Sequence, residues 1–172
     1  MNLTDYVINI KDFPIKGVDF KDITPLLNNN DALKCAIEKF VEIAKTIEFD
    51  AIIAPESRGF IFATTIAYLL NKRVILVRKK GKLPRKVYAF KASSEYDAPI
   101  LEIHVDDIKK NDRLILIDDV FATGGTAKAI KLAVDHLGGE LVGGICLIDL
   151  VFLHKNEDFF NKCHFKAIIN IK

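Results

Sequence analysis

Between residues 31 and 46 the apolar side chains fall at Leu33, Ala36, Ile37, Phe40, Val41 and Ala44. That i, i+3, i+4, i+7 spacing predicts an amphipathic helix, with Asn30 or Asp31 as its cap. Ala51–Ala54 has no polar alternation and stops at Pro55, as expected of a strand buried on both faces. Gly59–Leu70 is predicted helical, and Val74–Val77 and Leu114–Ile117 are further buried strands. Thr126–Leu137 carries a helical stripe that Gly138 and Gly139 end. Ile100–His104, Leu141–Leu150 and Ala167–Ile171 are further strand candidates, while residues 79–99 show no strong period. Strands alternating with helices of this length predict βαβ units, so the expected class is α/β with a mostly parallel sheet, in one domain over 1–172. In such sheets ligands bind beyond the carboxyl ends of the strands. The segments to inspect are therefore 55–60, 79–99 and 118–126.

Composition narrows this little. Of 172 residues, 50% are apolar and 28% charged, with a formal net charge of +2. That balance gives no reason to expect nucleic acid as a partner. No apolar run approaches the ~20 residues that cross a bilayer. The opening MNLTDYVINIKD reads as neither a signal nor a transit peptide, so a cytoplasmic protein is expected. Cys35, Cys146 and Cys163 are widely spaced, as inert thiols would be. His104, His136, His154 and His164 show no paired spacing and are read as structural. One local feature stands out: Arg78–Lys86 holds six cations in nine residues. A charge run is usually a solvated face, unless an anion belongs beside it.

The stretch LILIDDVFATGGT, Leu114–Thr126, supplies that anion. A buried strand delivers Asp118 and Asp119, a small-residue turn Ala122-Thr123-Gly124-Gly125-Thr126 follows, and a helix begins. Glycines let a backbone approach an oxyanion closely. The amides at a helix start point at an anion, and the helix dipole favours it. The spacing is neither GxxxxGK[ST] nor GxGxxG, so neither a P-loop nor a dinucleotide fold is supported. Carboxylates beside the turn would repel phosphate on contact. They suit vicinal sugar hydroxyls or a hydrated Mg²⁺ instead. The reading is a ribose-5-phosphate clamp.

The segment resembles the phosphoribosyl-diphosphate signature of type I phosphoribosyltransferases. Three other stretches resemble the adenine-specific branch: FPIKGVDFKDITPLL at Phe13–Leu27, ESRGF at Glu56–Phe60 and RKKGKLP at Arg78–Pro84. SEY at Ser94–Tyr96 and LEI at Leu101–Ile103 fall at the branch's LEYG…LEI spacing. The resemblance implies a type I phosphoribosyltransferase fold, with a small hood made by the N-terminal segment and a flexible loop over the site. It implies adenine stacked on Phe20 and read by the backbone of Asp19 and Lys21. It implies pyrophosphate on Glu56, Ser57 and Arg58, with a non-proline cis peptide at Glu56–Ser57. Lys82 and Arg78 would neutralise the leaving group, and the reach of Arg78 into a neighbouring subunit implies a homodimer.

The implied reaction joins adenine to phosphoribosyl diphosphate, giving AMP and pyrophosphate with Mg²⁺ as cofactor. No residue is expected to ligate that metal directly; the substrate holds it, with water reaching Asp118 or Asp119. The stabilised species is an oxocarbenium-like transition state, which calls for pre-placed donors rather than a nucleophile. Glu95 is the expected general acid/base on the purine, because it lies in the 79–99 segment and matches the family's loop acid. Two departures accompany it. Asp97 replaces the family's glycine, and Leu150–Asn156 (LVFLHKN) lacks its Gly-Arg, with Asp149 where a glutamate is common. Two alternatives stay open: a 6-oxopurine phosphoribosyltransferase, and a non-catalytic regulator that binds the donor, although such regulators usually add a DNA-binding domain.

Overall fold

The computed structural model describes residues 1–93, 98–154 and 164–172. It divides into two compact units, 1–39 and 40–172. In the first, β1 (Ile8–Ile10) and β2 (Phe20–Asp22) form a two-stranded antiparallel sheet, followed by a short α1 (Thr24–Leu27). Neither strand was expected. β1 is exposed along its length, so no buried face marks it in the sequence. Leu3, Ile23 and Leu26 are buried and give this unit its apolar centre. The helix α2 (Asn30–Ala44) contains the boundary between the units, two residues short of its predicted end.

The second unit is a seven-stranded sheet. Its strands are β3 (Ala51–Pro55), β4 (Arg73–Lys79), β5 (Val87–Lys91), β6 (Ile100–His104), β7 (Arg113–Phe121), β8 (Glu140–Leu150) and β9 (Phe165–Ile171), in the order β5-β6-β4-β3-β7-β8-β9. Five neighbours, β4-β3-β7-β8-β9, are parallel, and the β5–β6 hairpin adds an antiparallel edge. The expected α/β class with a mostly parallel sheet is therefore the observed one. β3 sits centrally with all five residues buried, which is why Ala51–Pro55 reads as an unbroken apolar run.

Two helices connect parallel strands. α3 (Gly59–Leu70) buries Phe62, Ala63, Ile66 and Ala67, the i, i+1, i+4, i+5 stripe of one helical face. Phe62 stacks on Phe40 at 5.1 Å between ring centroids. α4 (Gly125–His136) buries Ala127, Ile130, Ala133 and Val134. Among the described residues no helix is long and apolar enough to cross a membrane.

Two differences from expectation bear on the site. β5 lies within the aperiodic 79–99 segment. It is a partly buried edge strand of five residues, too short and too exposed to show a period. β7 runs on through Asp118 and Asp119 to Phe121, rather than ending at Ile117. The two carboxylates are strand residues, and the turn starts only after Phe121.

Candidate active site

The β7 carboxylates differ in state. Asp119 is buried at 6% exposure, and its Oδ2 meets Arg58 at 2.7 Å. Asp118 Oδ1 accepts the Asp119 backbone N–H at 2.8 Å. Burial pushes the Asp118 carboxyl well above the usual carboxylate range, and the neighbouring Asp119 charge pushes it further. One strand thus carries one carboxyl that favours its neutral form and one held as an ion pair.

Arg58 reaches Asp119 from the turn between β3 and α3. That turn holds a cis peptide at Glu56–Ser57, as the resemblance implied. The approach is close. A Cβ on Gly59 would lie 3.0 Å from both Asp118 Oδ1 and the Ile117 carbonyl. Glycine therefore lets the start of α3 touch β7. The Glu56 carboxylate turns away from this contact. Its Oε2 accepts from the Lys79 backbone N–H and from Arg78 Nε, each at 3.1 Å. The Lys79 amide and then the Arg78 guanidinium hold Glu56 below the ordinary range, against the opposing effect of burial. Ser57 is exposed, and its amide has no acceptor among the described residues.

Beyond Phe121 the chain makes the expected turn. Gly124 precedes α4 at φ +82°, a left-handed conformation that costs other residues. Gly124 brings no capping side chain to α4, and the Gly125 amide donates to Thr123 Oγ1 at a long 3.5 Å. Residues 120–127 line a cavity of about 100 Å³ together with Asp118. Thr123 is exposed beside it, and Ala122, Gly125 and Thr126 are partly buried. This is a small anion-sized cradle next to a carboxyl and an ion pair.

The remaining predicted site residues are distributed as follows. Lys82 is exposed on the turn after β4 and forms no ion pair among the described residues. Asp19, Phe20 and Lys21 lie in the first unit. Phe13 packs edge-on against Phe20 at 5.3 Å. Asn9 ties down both neighbours: its Nδ2 donates to Asp19 Oδ2 at 3.2 Å, and Lys21 Nζ donates to its Oδ1 at 2.7 Å. Glu95 and Asp97 lie outside the described residues, as does Cys163. Cys35 and Cys146 are free thiols. No cluster of three or more metal-ligating side chains occurs among the described residues. Asp119 is engaged by Arg58, and Asp118 is the carboxylate that lines the cavity.

Sequence reasoning gave no role to Asn9, Gly59 or Asp149. Gly59 was legible as the glycine of ESRGF. Asn9 was not, because its partners depend on the β1–β2 register. Asp149 accepts from His154 Nε2 at 2.5 Å at the carboxyl end of β8, so this histidine serves a specific carboxylate.

Comparison with known proteins follows the same lines. The chain matches the phosphoribosyl transferase domain family over residues 22–162. A Mycoplasma capricolum protein named adenine phosphoribosyltransferase is 51% identical over 169 residues, covering 98% of this chain and 99% of its own. The chain belongs to the adenine phosphoribosyltransferase family. Its fold agrees with the crystal structure of the Thermoanaerobacter pseudethanolicus adenine phosphoribosyltransferase at a TM-score of 0.90 and 37% identity, covering 98% of both chains. The Giardia lamblia enzyme, crystallised with 9-deazaadenine, gives 0.90 at 28% identity, covering 100% of this chain and 99% of that one. Within the family signature, this member shows Arg58 already engaged with Asp119.

Proposed function

We propose that the chain transfers the 5-phosphoribosyl group from phosphoribosyl diphosphate to adenine, releasing AMP and pyrophosphate. The observation that carries this is the β7–α4 junction. A strand-borne acid pair runs directly into an uncapped, glycine-started helix beside a small cavity. The geometry favours a 5-phosphate on the open amides and the ribose diol on Asp118 and Asp119. Ser57, Arg58 and Lys82 take the leaving pyrophosphate, where amide and cation donors stabilise charge that grows as the bond breaks. Phe20 supplies an aromatic face for adenine. The backbone of Asp19 and Lys21, flanking Phe20 at β2, reads the edge of the base. Asn9 holds both of their side chains aside.

Mg²⁺ would be held mainly by the substrate, with Asp118 or Asp119 reaching it through water. It supplies charge neutralisation to the leaving group. Glu95 manages the purine proton. The protein acts in the cytoplasm, in purine salvage, as a homodimer. For the dimer, α3 presents an apolar exposed face of Ile61, Tyr68 and Leu69. Only Nε of Arg78 is occupied, by Glu56. Its terminal nitrogens have no partner among the described residues and suit a neighbouring subunit's substrate.

A rate assay with adenine, hypoxanthine, guanine and xanthine tests the reading. We expect turnover with adenine alone; turnover confined to an oxopurine overturns it. Glu95→Gln should lower kcat by about 10²–10⁴-fold with donor affinity nearly kept.

A further inference from the structure

Asp149 lies one strand from the donor cradle. Its register partner on β7 is Phe121, the last residue before the phosphate turn. It belongs to the same acidic neighbourhood as Asp118 and Asp119. The buried thiol of Cys146, register partner of Asp118, is pushed up by burial, then by the charge of Asp149, with Asp118 and Asp119 adding to it. Three carboxylates therefore bear on Cys146, and one of them, Asp118, lines the cavity that Phe121, the register partner of Asp149, also lines. Each has its own relief. Asp119 has Arg58 at 2.7 Å, and Asp118 favours its proton. Asp149 has His154 at 2.5 Å. The His154 and Asp149 side chains are only 8% and 17% exposed, so water screens the carboxylate poorly. The same contact pins the single turn Val151–Leu153, whose end is closed by the His154 amide on the Val151 carbonyl at 3.2 Å.

We propose that His154 is a positioning residue for the phosphoribosyl donor: by capping Asp149 it keeps a third carboxylate from opposing the donor's phosphates. The proposal rests on the phosphoribosyl-transfer reading above. It goes beyond that reading because it assigns a role to a residue that touches no substrate.

The test is steady-state kinetics with separate KM values for the donor and for adenine. His154→Leu uncaps the carboxylate. It should raise the donor KM about tenfold and leave kcat and the adenine KM within about twofold. The double variant His154→Leu/Asp149→Asn removes the charge and should restore the donor KM. Because the penalty is electrostatic, raising the salt to about 0.5 M should shrink it to about threefold or less. A purely structural role predicts a lower Tm with an unchanged donor KM, and that result overturns the proposal. If His154→Leu does not fold, Asp149→Asn alone decides: its donor KM must stay level or fall, and a rise overturns the proposal. No turnover by the unmodified protein sinks the parent reading. Turnover with an unchanged donor KM in His154→Leu overturns this one alone.

Discussion

Asp118 is the residue whose chemistry departs furthest from its sequence context. A carboxyl whose pKa is raised on folding contributes stability in its protonated form. That contribution is complete below the unfolded value of 3.8 and is lost as pH rises through the folded one. At pH 8 the charge is therefore a cost, imposed first by burial and then by Asp119. Asp118→Asn keeps the shape and removes the ionisation. We expect calorimetry at pH 8 to show a higher Tm, with each kcal/mol relieved worth about 2–4 °C in a chain of this size. Donor affinity should fall in the same variant. A Tm below that of the unmodified protein at pH 8 would show that burial is not the cause. The two aspartates were readable as ligand groups from DD after LILI. Their states were not, because the distinction depends on Arg58 crossing from another strand end.

The β7–α4 junction shows what an element adds to its residues. The turn residues were legible from their type, since glycines before a helix mark a close-approach turn. The strand boundary was misplaced by four residues, because paired carboxylates read as the end of a buried run. They stay in the strand, paired with β8 at Asp118, while Asp119 is held by Arg58. Local rules fail most readily where function overrides them. Gly124 carries the conformational demand of this junction at φ +82°. Gly124→Ala should cost about 1–2 kcal/mol in urea denaturation and raise the donor KM. A raised adenine KM with an unchanged donor KM would contradict the assignment of this turn.

For the whole molecule, the parallel sheet and both of its connecting helices were visible as apolar runs and stripes. β6 was visible as an apolar run, but its edge partner β5 and the β1–β2 pair were not, because such strands lack a buried face on each side. The exposed face of α3 belongs to this scale too. Tyr68 is 86% exposed and Leu69 55%, more apolar surface than one helix needs to show. Tyr68→Glu/Leu69→Glu should convert a dimer to monomers in analytical ultracentrifugation, with the melting of each chain little changed. An unaltered sedimentation coefficient would overturn the proposal that this face joins two copies.

The Arg58–Asp119 pair also implies an exchange of partners. On the proposed reading each member is wanted by a different half of the donor, the guanidinium by diphosphate and the carboxylate by the ribose diol. If diphosphate alone claims Arg58, the buried Asp119 is left unpaired, which is costly, whereas Arg58 is partly exposed. The two fragments should therefore help each other, by about 1–3 kcal/mol if the coupling is ordinary in size. Calorimetric titration of ribose 5-phosphate, with and without pyrophosphate, measures this directly. Tighter binding in company, by the same factor in either order, would make this pair a latch that opens fully only for the intact donor. Equal or weaker binding would mean that the pair stays closed and the donor is held around it.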